Sequence, residues 1–288
     1  MSRLRPGDVV DRYMVESLLG AGGMAEVYRA RDKRLGRAVA LKLVRPVREG
    51  DACGSLCSLL MQEARTLAAL SNPGLLTVLD VGEHHGCVYL AMELIDGTTL
   101  RDWANTVADW RERLRVLLEA GIALSAAHAA RVVHRDVKPD NVLVARSGRV
   151  IVSDFGVARN LADLDDQGHP CGCAGGATVR VELDGMVVGT PQYMSPEQHE
   201  GLAADARSDQ FSYAVTCWEV LYRALPFLGD DMHSLREAVR AQRFQPTPPE
   251  TEVPGPVCDA LRRGMRPTAS ARYPNMETFV DILSRAAG

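Results

Sequence analysis

The hydrophobic period of the chain changes once, and that change constrains the fold more than any other feature. Over roughly the first hundred residues, short apolar runs alternate with turn signals, which is typical of antiparallel strands; the clearest runs are 13–19, 26–30 and 38–44. From about Asp96 onward, apolar residues recur with a helical period instead. The pattern predicts an α+β chain with a small β-rich lobe (13–95), a larger, mainly helical lobe (96–282) and short termini (1–12 and 283–288).

The β-rich lobe is predicted to contain a five-stranded antiparallel sheet and one main helix. Residues 75–81 and 87–94 have the pattern of its last two strands. Before them, leucines between positions 56 and 70 recur on one helical face until Asn72-Pro73-Gly74 ends the helix. In the second lobe, one helix is expected to end near Arg131, and others at 207–223, 233–241, 256–264 and 275–286.

Lysine is rare in this chain and therefore informative. Only Lys33, Lys42 and Lys138 are lysines, and every other Lys or Arg position is an arginine. Lys42 ends an apolar strand, while Glu63 falls on the apolar face of the predicted helix, where a carboxylate is costly unless it is paired. An ion pair between Lys42 and Glu63 would satisfy both residues. The alternative for Lys42 is a surface lysine with its ammonium group in water.

Charge and hydropathy exclude several classes of protein. The chain of 288 residues has 33 basic and 37 acidic side chains, and a net charge of −4 excludes a general binder of nucleic acids. No apolar run reaches the roughly 18 residues that cross a bilayer, and no secretory signal is visible, so we expect a cytoplasmic chain without a membrane span. The Cys count of 7, odd and irregularly spaced, favours reduced thiols over a disulfide framework.

A glycine-rich segment, Gly20-Ala21-Gly22-Gly23-Met24-Ala25-Glu26-Val27, lies between the first two strands. Where side chains are missing, backbone N–H groups can approach phosphate oxygens. A hairpin that uses glycine only to turn is the alternative for this motif taken alone. The segment is neither a Walker A loop, because no Gly-Lys-Ser/Thr sequence occurs, nor a dinucleotide fingerprint, because a strand rather than a helix follows it.

The strongest chemical motif follows the first long helix. His134-Arg135-Asp136-Val137-Lys138-Pro139-Asp140-Asn141 places a carboxylate, a cation and an amide in one short segment, and Asp154-Phe155-Gly156 follows an apolar hairpin at 142–152. Together with the glycine-rich segment and Lys42, these motifs resemble those of protein kinases, in particular the eukaryotic-like serine/threonine kinases of bacteria. The resemblance extends over nearly the whole chain, from about Tyr13 to Ile282.

The resemblance implies a two-lobed kinase fold and transfer of the γ-phosphoryl group of ATP, bound with Mg²⁺ or alternatively Mn²⁺, to Ser or Thr hydroxyls. Protein substrates, including the chain itself, would be the acceptors. Asp136 is the implied catalytic base, and Lys138 the cation that neutralises charge on the transferred group. Lys42, paired with Glu63, would hold the α- and β-phosphates. Asn141 and Asp154 would bind the metal through hard oxygen atoms.

The resemblance also implies which residues contact the nucleotide. The backbone of the glycine-rich segment from Gly20 to Val27 would cover the nucleotide, and Leu19 would also contact it. Met92 resembles the gatekeeper at the back of the adenine pocket, and backbone groups of Glu93 and Ile95 would read the adenine edge. The side chains implied to pack on the two sides of the adenine ring are Val27, Ala40 and Leu143.

Further along the chain, Gly189-Thr190-Pro191-Gln192-Tyr193-Met194-Ser195-Pro196-Glu197 resembles the segment that docks a protein substrate. Thr190 would hydrogen-bond Asp136 and Lys138 and so favour Ser or Thr over Tyr as the acceptor.

Two structural contacts are implied in the same lobe. Glu197 would form a buried ion pair with Arg272. Asp209, at the start of a helix, would brace the segment that carries the base.

The activation segment, residues 154–197, departs from the family pattern. Bacterial relatives often have phosphorylatable threonines just before the glycine that opens the docking segment, whereas this chain has Glu182 and Asp184 there. One hypothesis is that these carboxylates supply the negative charge that Arg135 would otherwise take from a phosphothreonine. The alternative is that both are solvated loop acids. Thr178 is the remaining candidate phosphorylation site.

Two other functions fit parts of this pattern. A pseudokinase would bind partners or nucleotide without transfer, but it usually lacks a catalytic residue, and here Lys42, Glu63, Asp136, Asn141 and Asp154 are all present. A small-molecule phosphotransferase is disfavoured by the docking segment, which in the family holds a peptide. Since no membrane span is expected, the activating input is expected to come from a cytosolic partner or from a homodimer through the small lobe.

Overall fold

The computed structural model describes residues 3–22, 25–44, 61, 66, 68, 70, 72–155 and 190–288. The chain divides into two units. The first contains the described residues up to 70 together with 76–96, and the second contains residues 72–75 and the described residues from 97 onward. The first unit is built on a β-sheet and the second mainly on helices.

A six-stranded antiparallel sheet forms the first unit. Its strands are β1 (Val9–Val10), β2 (Tyr13–Ala21), β3 (Ala25–Asp32), β4 (Ala38–Val44), β5 (Val78–His84) and β6 (Cys87–Glu93). They are ordered β1-β2-β3-β4-β6-β5. The prediction of five strands was one short, because a two-residue strand shows no alternation to detect. β5 also begins at Val78 rather than at Leu75, since Leu75 forms a parallel bridge with Val152 in the second unit.

Alternation gives this sheet one apolar face and one face with the side chains implied to contact the nucleotide. The apolar face is a buried cluster formed by Val10, Tyr13, Val15, Tyr28, Ala30, Val39, Leu41, Leu43, Cys87, Tyr89 and Ala91. In the strand register, Lys42 lies between Val27 and Leu90, and Ala40 is opposite Met92. Because successive side chains point to opposite faces, Val27, Ala40, Lys42 and Met92 share the face opposite the cluster.

The predicted helix that carries Glu63 lies mostly outside the described residues. Met61, Thr66 and Ala68 have helical backbone. Glu63 itself is outside the described residues, and so is the predicted Lys42–Glu63 pair, which stays a prediction.

The second unit contains a three-stranded antiparallel sheet, formed by β7 (Gly97–Thr99), β8 (Val142–Ala145) and β9 (Val150–Val152). β8 and β9 form the hairpin predicted between the motif at 134–141 and the one at 154–156. Between β7 and β8 in sequence lie α1 (Leu100–Thr106) and α2 (Trp110–Ala129). The side chains of Thr99 and Asp109 cap these two helices by accepting backbone N–H groups of their first turns.

The remaining described α-helices are α3 (Pro196–His199), α4 (Ala206–Tyr222), α5 (Met232–Arg240), α6 (Gly255–Gly264) and α7 (Met276–Ala286). The boundaries predicted for the last four agree to within one residue. α4 is buried on every side from Ser208 to Trp218. A helix without an exposed face needs a partner for each of its polar side chains, and these partners are what connect α4 to the candidate site.

Close packing joins α4 to α2 and α7 at Gly121. A Cβ atom at this position would lie 2.5 Å from Val280 Cγ2 and 2.7 Å from the Tyr213 hydroxyl. This glycine is therefore required by packing.

In the described part of the chain, Cys87, Cys217 and Cys258 are free thiols, and the other cysteines lie outside the described residues. Among the helices that the structure describes, none has the length and apolar character needed to cross a bilayer.

Candidate functional site

The loop of residues 134–141, called the catalytic loop after the role that the resemblance implies for it, connects α2 to β8 and contacts the buried side chain of Asp209. This carboxylate is fully buried, and it accepts the N–H groups of His134 and Arg135, both at 2.7 Å. It also lies 2.7 Å from Nε2 of His128 in α2. Arg135 has a φ of 65°, in the left-handed region that costs energy for a residue other than glycine. The hydrogen bond to its N–H helps to offset that cost, so Asp209 makes the bracing contact expected of it.

His134 also holds the catalytic loop in place, through both nitrogens of its imidazole ring. Its Nδ1 accepts the N–H of Asp136 at 3.2 Å, and its Nε2 lies 2.8 Å from the carbonyl oxygen of Ser153. An imidazole that accepts at one nitrogen and donates at the other is neutral. Complete burial, which lowers the pKa of His134, favours the same state. A neutral histidine therefore ties the predicted base to the residue that precedes Asp154.

Four of the predicted site residues come together around the Asp136 carboxylate. The Lys138 ammonium lies 3.1 Å from Asp136 Oδ2 and 3.1 Å from the Thr190 hydroxyl. Asn141 Nδ2 donates to the carbonyl oxygen of Asp136 at 2.7 Å and to its Oδ2 at 3.1 Å. The contact between Thr190 and Lys138 is the one implied by the resemblance, whereas a direct bond from Thr190 to Asp136 stays a prediction.

Asn141 and Asp154, the implied metal-binding residues, are joined by the β8–β9 hairpin. Ser153, next to Asp154, donates its N–H at 2.8 Å and its hydroxyl at 3.1 Å to the carbonyl oxygen of Asn141. Because the Asn141 amide nitrogen bonds Asp136, the amide oxygen is the atom that can bind a cation. Asp154 is half-buried with a φ of 55°. An amide oxygen and a carboxylate are hard donors that fit Mg²⁺, which otherwise prefers phosphate and water.

The glycine-rich segment forms the hairpin between β2 and β3. Gly20 pairs with Val27 and Ala21 with Glu26, and the Gly22 N–H donates to Ala25 at 2.8 Å. A Cβ on Gly20 would meet nothing within 4 Å, and one on Gly22 would meet only the Ala25 carbonyl oxygen at 3.8 Å. Packing around Gly20 and Gly22 therefore does not explain why these positions are occupied by glycine rather than by a larger residue. Gly23 and Met24 lie outside the described residues.

Glu26 pairs with Ala21 through its backbone in the hairpin. Its carboxylate is buried, accepts the Tyr28 hydroxyl at 2.6 Å and pairs with Arg3 at 3.3 Å. Leu19 is half exposed, at 51%.

The resemblance also implies that Met92, Glu93, Ile95 and Leu143 contact adenine. In the first unit, Met92 is buried, Ile95 is half-buried, and Glu93 exchanges 3.0 Å hydrogen bonds with the backbone of Thr77. In the second unit, Leu143 is half-buried in β8.

The ion pair predicted between Glu197 and Arg272 is present. Arg272 is buried and contacts the two oxygens of Glu197 at 2.8 and 2.9 Å, and the Ser208 hydroxyl donates to the same carboxylate at 2.7 Å. Burial alone would raise the pKa of Glu197, but the Arg272 guanidinium outweighs burial and holds the pKa at about 2. The pair fastens the docking segment, residues 190–197, to the chain before α7.

Arg101 also belongs to this region, although it was not predicted. From α1 its guanidinium contacts Asp140 in the catalytic loop, Tyr193 in the docking segment and Glu219 in α4. No local sequence motif indicates these contacts, because the residues that make them are distant in sequence. The only signal was the additional carboxylate, Asp140, inside the catalytic loop.

The regulatory residues proposed from the sequence, Thr178, Glu182 and Asp184, lie outside the described residues. Their relation to Arg135 stays a prediction.

Known proteins agree with this architecture. The sequence matches the protein kinase domain family over residues 13–278. The serine/threonine-protein kinase PknB of Mycolicibacterium smegmatis is 38% identical over 251 residues, which cover 85% of this chain and 37% of that protein. PknB of Mycobacterium tuberculosis is 37% identical over 256 residues, covering 87% of this chain and 38% of that protein. The chain thus spans less than two fifths of the length of these curated relatives.

Solved structures show the same fold. The kinase domain of M. tuberculosis PknI superposes with a TM-score of 0.70 at 23% identity, covering 99% of this chain and 100% of that one. A variant of that domain gives a TM-score of 0.71 at 24% identity, covering 100% of both chains. On the evidence of the motifs, the fold and these matches, the chain belongs to the protein kinase family.

Proposed function

We propose that the chain is a serine/threonine protein kinase that transfers the γ-phosphoryl group of ATP to Ser and Thr hydroxyls of proteins, including its own. The observation that carries the proposal is the arrangement at Asp136. One carboxylate oxygen of this residue, Oδ2, is contacted by both Lys138 and Asn141, and Lys138 also reaches Thr190 at the start of the docking segment. A base, a cation and a docking residue are thus held together, as phosphoryl transfer to a protein hydroxyl requires.

In the proposed reaction, Asp136 orients the acceptor hydroxyl and takes its proton. The hydroxyl oxygen forms a bond to the γ-phosphorus, the bond from that phosphorus to the β,γ-bridging oxygen breaks, and ADP leaves. Lys138 offsets negative charge on the transferred group, because a compact ammonium can approach its oxygens. Thr190, bonded to Lys138, orients a Ser or Thr residue rather than Tyr.

We propose that Asn141 and Asp154 hold Mg²⁺, with Mn²⁺ as an alternative ion. When bound, the ion would neutralise charge on the phosphates of ATP. Lys42 is proposed to hold the α- and β-phosphates, and the backbone of the glycine-rich hairpin to cover them. The other residues proposed to contact ATP are Leu19, Val27, Ala40, Met92, Glu93, Ile95 and Leu143.

The proposal is tested by incubating the protein with γ-labelled ATP, Mg²⁺ and a generic basic protein. The parent should place label on Ser and Thr, and Asp136→Asn should reduce transfer at least a hundredfold, because general base catalysis is lost. The variant should still bind ATP. A folded parent that binds ATP without transferring label would support the pseudokinase alternative, and label on a small molecule alone would refute protein phosphorylation.

We further propose that Glu182 and Asp184 replace a phosphothreonine in activating the chain through Arg135, with Thr178 as the candidate for actual phosphorylation. The charge of Glu182 and Asp184 in the sequence supports this proposal, and their being solvated loop acids is the alternative. Phosphatase-treated protein with Glu182→Gln and Asp184→Asn should lose most of its activity. Unchanged activity would refute the idea.

The cytoplasm is proposed as the location, and a cytosolic activator or a homodimer as the source of the activating signal. The free thiols of Cys87, Cys217 and Cys258, in the part of the chain that the structure describes, support the first of these. Measuring transfer against protein concentration tests the second, because activity per molecule rises with concentration when a dimer is the active form.

A further inference from the structure

One arginine connects three elements of the second unit. Arg101 donates from Nε and Nη2 to the two oxygens of Asp140, at 2.9 and 2.8 Å, and from Nη1 to Glu219 at 2.5 Å. Nη2 also donates to the Tyr193 hydroxyl at 2.8 Å, and that hydroxyl donates to Glu219. We call these four residues the Arg101 cluster. It reaches the surface, since the side chains of Arg101 and Asp140 are 35% and 44% exposed.

The Arg101 cluster adjoins the residues proposed to carry the reaction. Asp140 directly precedes Asn141 and follows Asp136 by four residues of chain, which places their Cα atoms within about 14 Å of each other. Tyr193 follows Thr190 in the docking segment, and Thr190 contacts Lys138. A peptide whose Ser or Thr reaches Asp136 would therefore extend its neighbouring side chains toward the cluster.

The charges of the cluster nearly balance because of Arg101. Its guanidinium contacts both carboxylate oxygens of Asp140 and one of Glu219. Burial and the neighbouring Glu219 raise the pKa of Tyr193, so the phenol stays neutral. Without Arg101, the cluster would contain two carboxylates, Asp140 and Glu219, and no cation of its own. A planar guanidinium fork can contact both at once, which a lysine ammonium matches only in part.

We propose that Arg101 is a specificity-determining residue for the protein substrate. It occupies the position that an arginine or lysine of the substrate would need in order to pair with Asp140 and Glu219. As a result, the chain gains little from basic residues beside the acceptor. This inference rests on the proposed kinase function and adds a statement about the substrates.

The test uses two peptides with a single acceptor serine that differ only in two arginines, which are replaced by glutamine in the second peptide. The measured quantity is the ratio of kcat/KM for the basic peptide to that for the neutral one. We expect a ratio within about threefold of unity for the parent, and an increase of about tenfold for Arg101→Met, which keeps the side-chain length and removes the charge. Arg101→Lys retains a cation and should stay close to the parent. The KM for ATP should not change.

A second variant gives an effect of opposite sign. Glu219→Gln removes one negative charge while Arg101 remains, so the ratio should fall below that of the parent. A purely structural role of the cluster would reduce transfer to both peptides equally and leave both ratios unchanged.

An unchanged ratio in an active Arg101→Met protein would overturn the proposal. If Arg101→Met does not fold, an unchanged ratio in Glu219→Gln would overturn it instead. A folded parent that phosphorylates neither peptide nor itself would refute the proposed kinase function and this inference together. Failure of the inference alone leaves transfer by the parent intact.

Discussion

The catalytic loop and the glycine-rich hairpin differ in how their backbones are held. In the loop, buried side chains fix the backbone: Asp209 accepts two N–H groups, and His134 bonds residues on both sides of the β8–β9 hairpin. In the glycine-rich hairpin, residues 17–22 are exposed, and space around Gly20 stays open. The loop that carries the proposed proton acceptor is anchored by buried side chains, whereas the strand turn proposed to cover phosphates leaves the space around Gly20 open.

The largest effect on phosphoryl transfer is expected from substituting Lys42, the lysine on the sheet that contains the glycine-rich hairpin. Lys42→Arg should lower transfer by about a hundredfold or more, because a planar guanidinium does not replace a compact ammonium on phosphate oxygens. The exposed Lys33 offers a matched control, and Lys33→Arg should leave transfer unchanged. Steady-state kinetics with ATP measures both. Equal activity of the two variants would remove Lys42 from the proposed phosphate site.

Removing the anchor of the catalytic loop should have the next largest effect. Asp209→Asn replaces a carboxylate oxygen with an N–H donor that faces the N–H groups of the loop, and it should lower the free energy of unfolding by about 3 kcal/mol. Urea denaturation measures this loss, and kcat should fall while the KM for ATP stays the same.

The control for Asp209 is its neighbour Asp205. This residue is exposed and caps α4 with its side chain, and asparagine is an equally good cap, so Asp205→Asn should cost less than about 0.5 kcal/mol. Similar losses in both variants would mean that the loop does not depend on Asp209 in particular.

Acid should weaken the unit that holds the catalytic loop through His199, at the end of the docking region. Burial, assisted by Arg236, lowers the pKa of this histidine from 6.5 to about 4. The neutral form is therefore favoured in the folded state, and its contribution is complete above pH 6.5 and lost as the pH falls toward 4. At pH 5, the free energy of unfolding should therefore be roughly 2 kcal/mol lower than above pH 6.5.

Comparing urea denaturation at pH 7 and pH 5 checks this prediction. His199→Gln should reduce the difference between the two pH values, even if it lowers stability at both. Glu197 should contribute no loss in that range, because its stabilisation disappears only below about pH 4.5, as the pH falls toward its folded pKa of about 2. An unchanged pH dependence in His199→Gln would show that other groups control it.

The last prediction compares alanine substitutions at two glycines, Gly20 and Gly121. Gly20→Ala adds a methyl group into open space, so the free energy of unfolding should not change, while the KM for ATP should rise about threefold to tenfold as the backbone is shielded from phosphate. Gly121→Ala should do the reverse: overpacking against Val280 and Tyr213 should cost about 1–3 kcal/mol and leave the KM for ATP unaltered. A loss of stability in Gly20→Ala would make the hairpin glycine a folding requirement.

Most of the fold was predictable because periodicity is a local signal. The long strand β4 and the helices α4 to α7 have clear repeats and were located to within one residue. The two-residue strand β1 was missed, because pairing with β2 rather than its own sequence creates it. Likewise, Leu75 looks like part of β5 but pairs with Val152.

For the candidate site, motifs located residues that lie near each other in sequence, and the family resemblance located the pair of Glu197 and Arg272. Arg101 was missed because its partners at 140, 193 and 219 come together only through folding. The bond from His128 to Asp209 was missed for the same reason.

Single-turnover phosphoryl transfer by Asp136→Asn, with ATP binding measured on the same sample, tests the central claim most directly. The account predicts that the variant binds ATP within about twofold of the parent, because the residues proposed to cover the phosphates are untouched, while label on Ser and Thr falls at least a hundredfold. Transfer at the parental rate would contradict the assignment of Asp136 as the base.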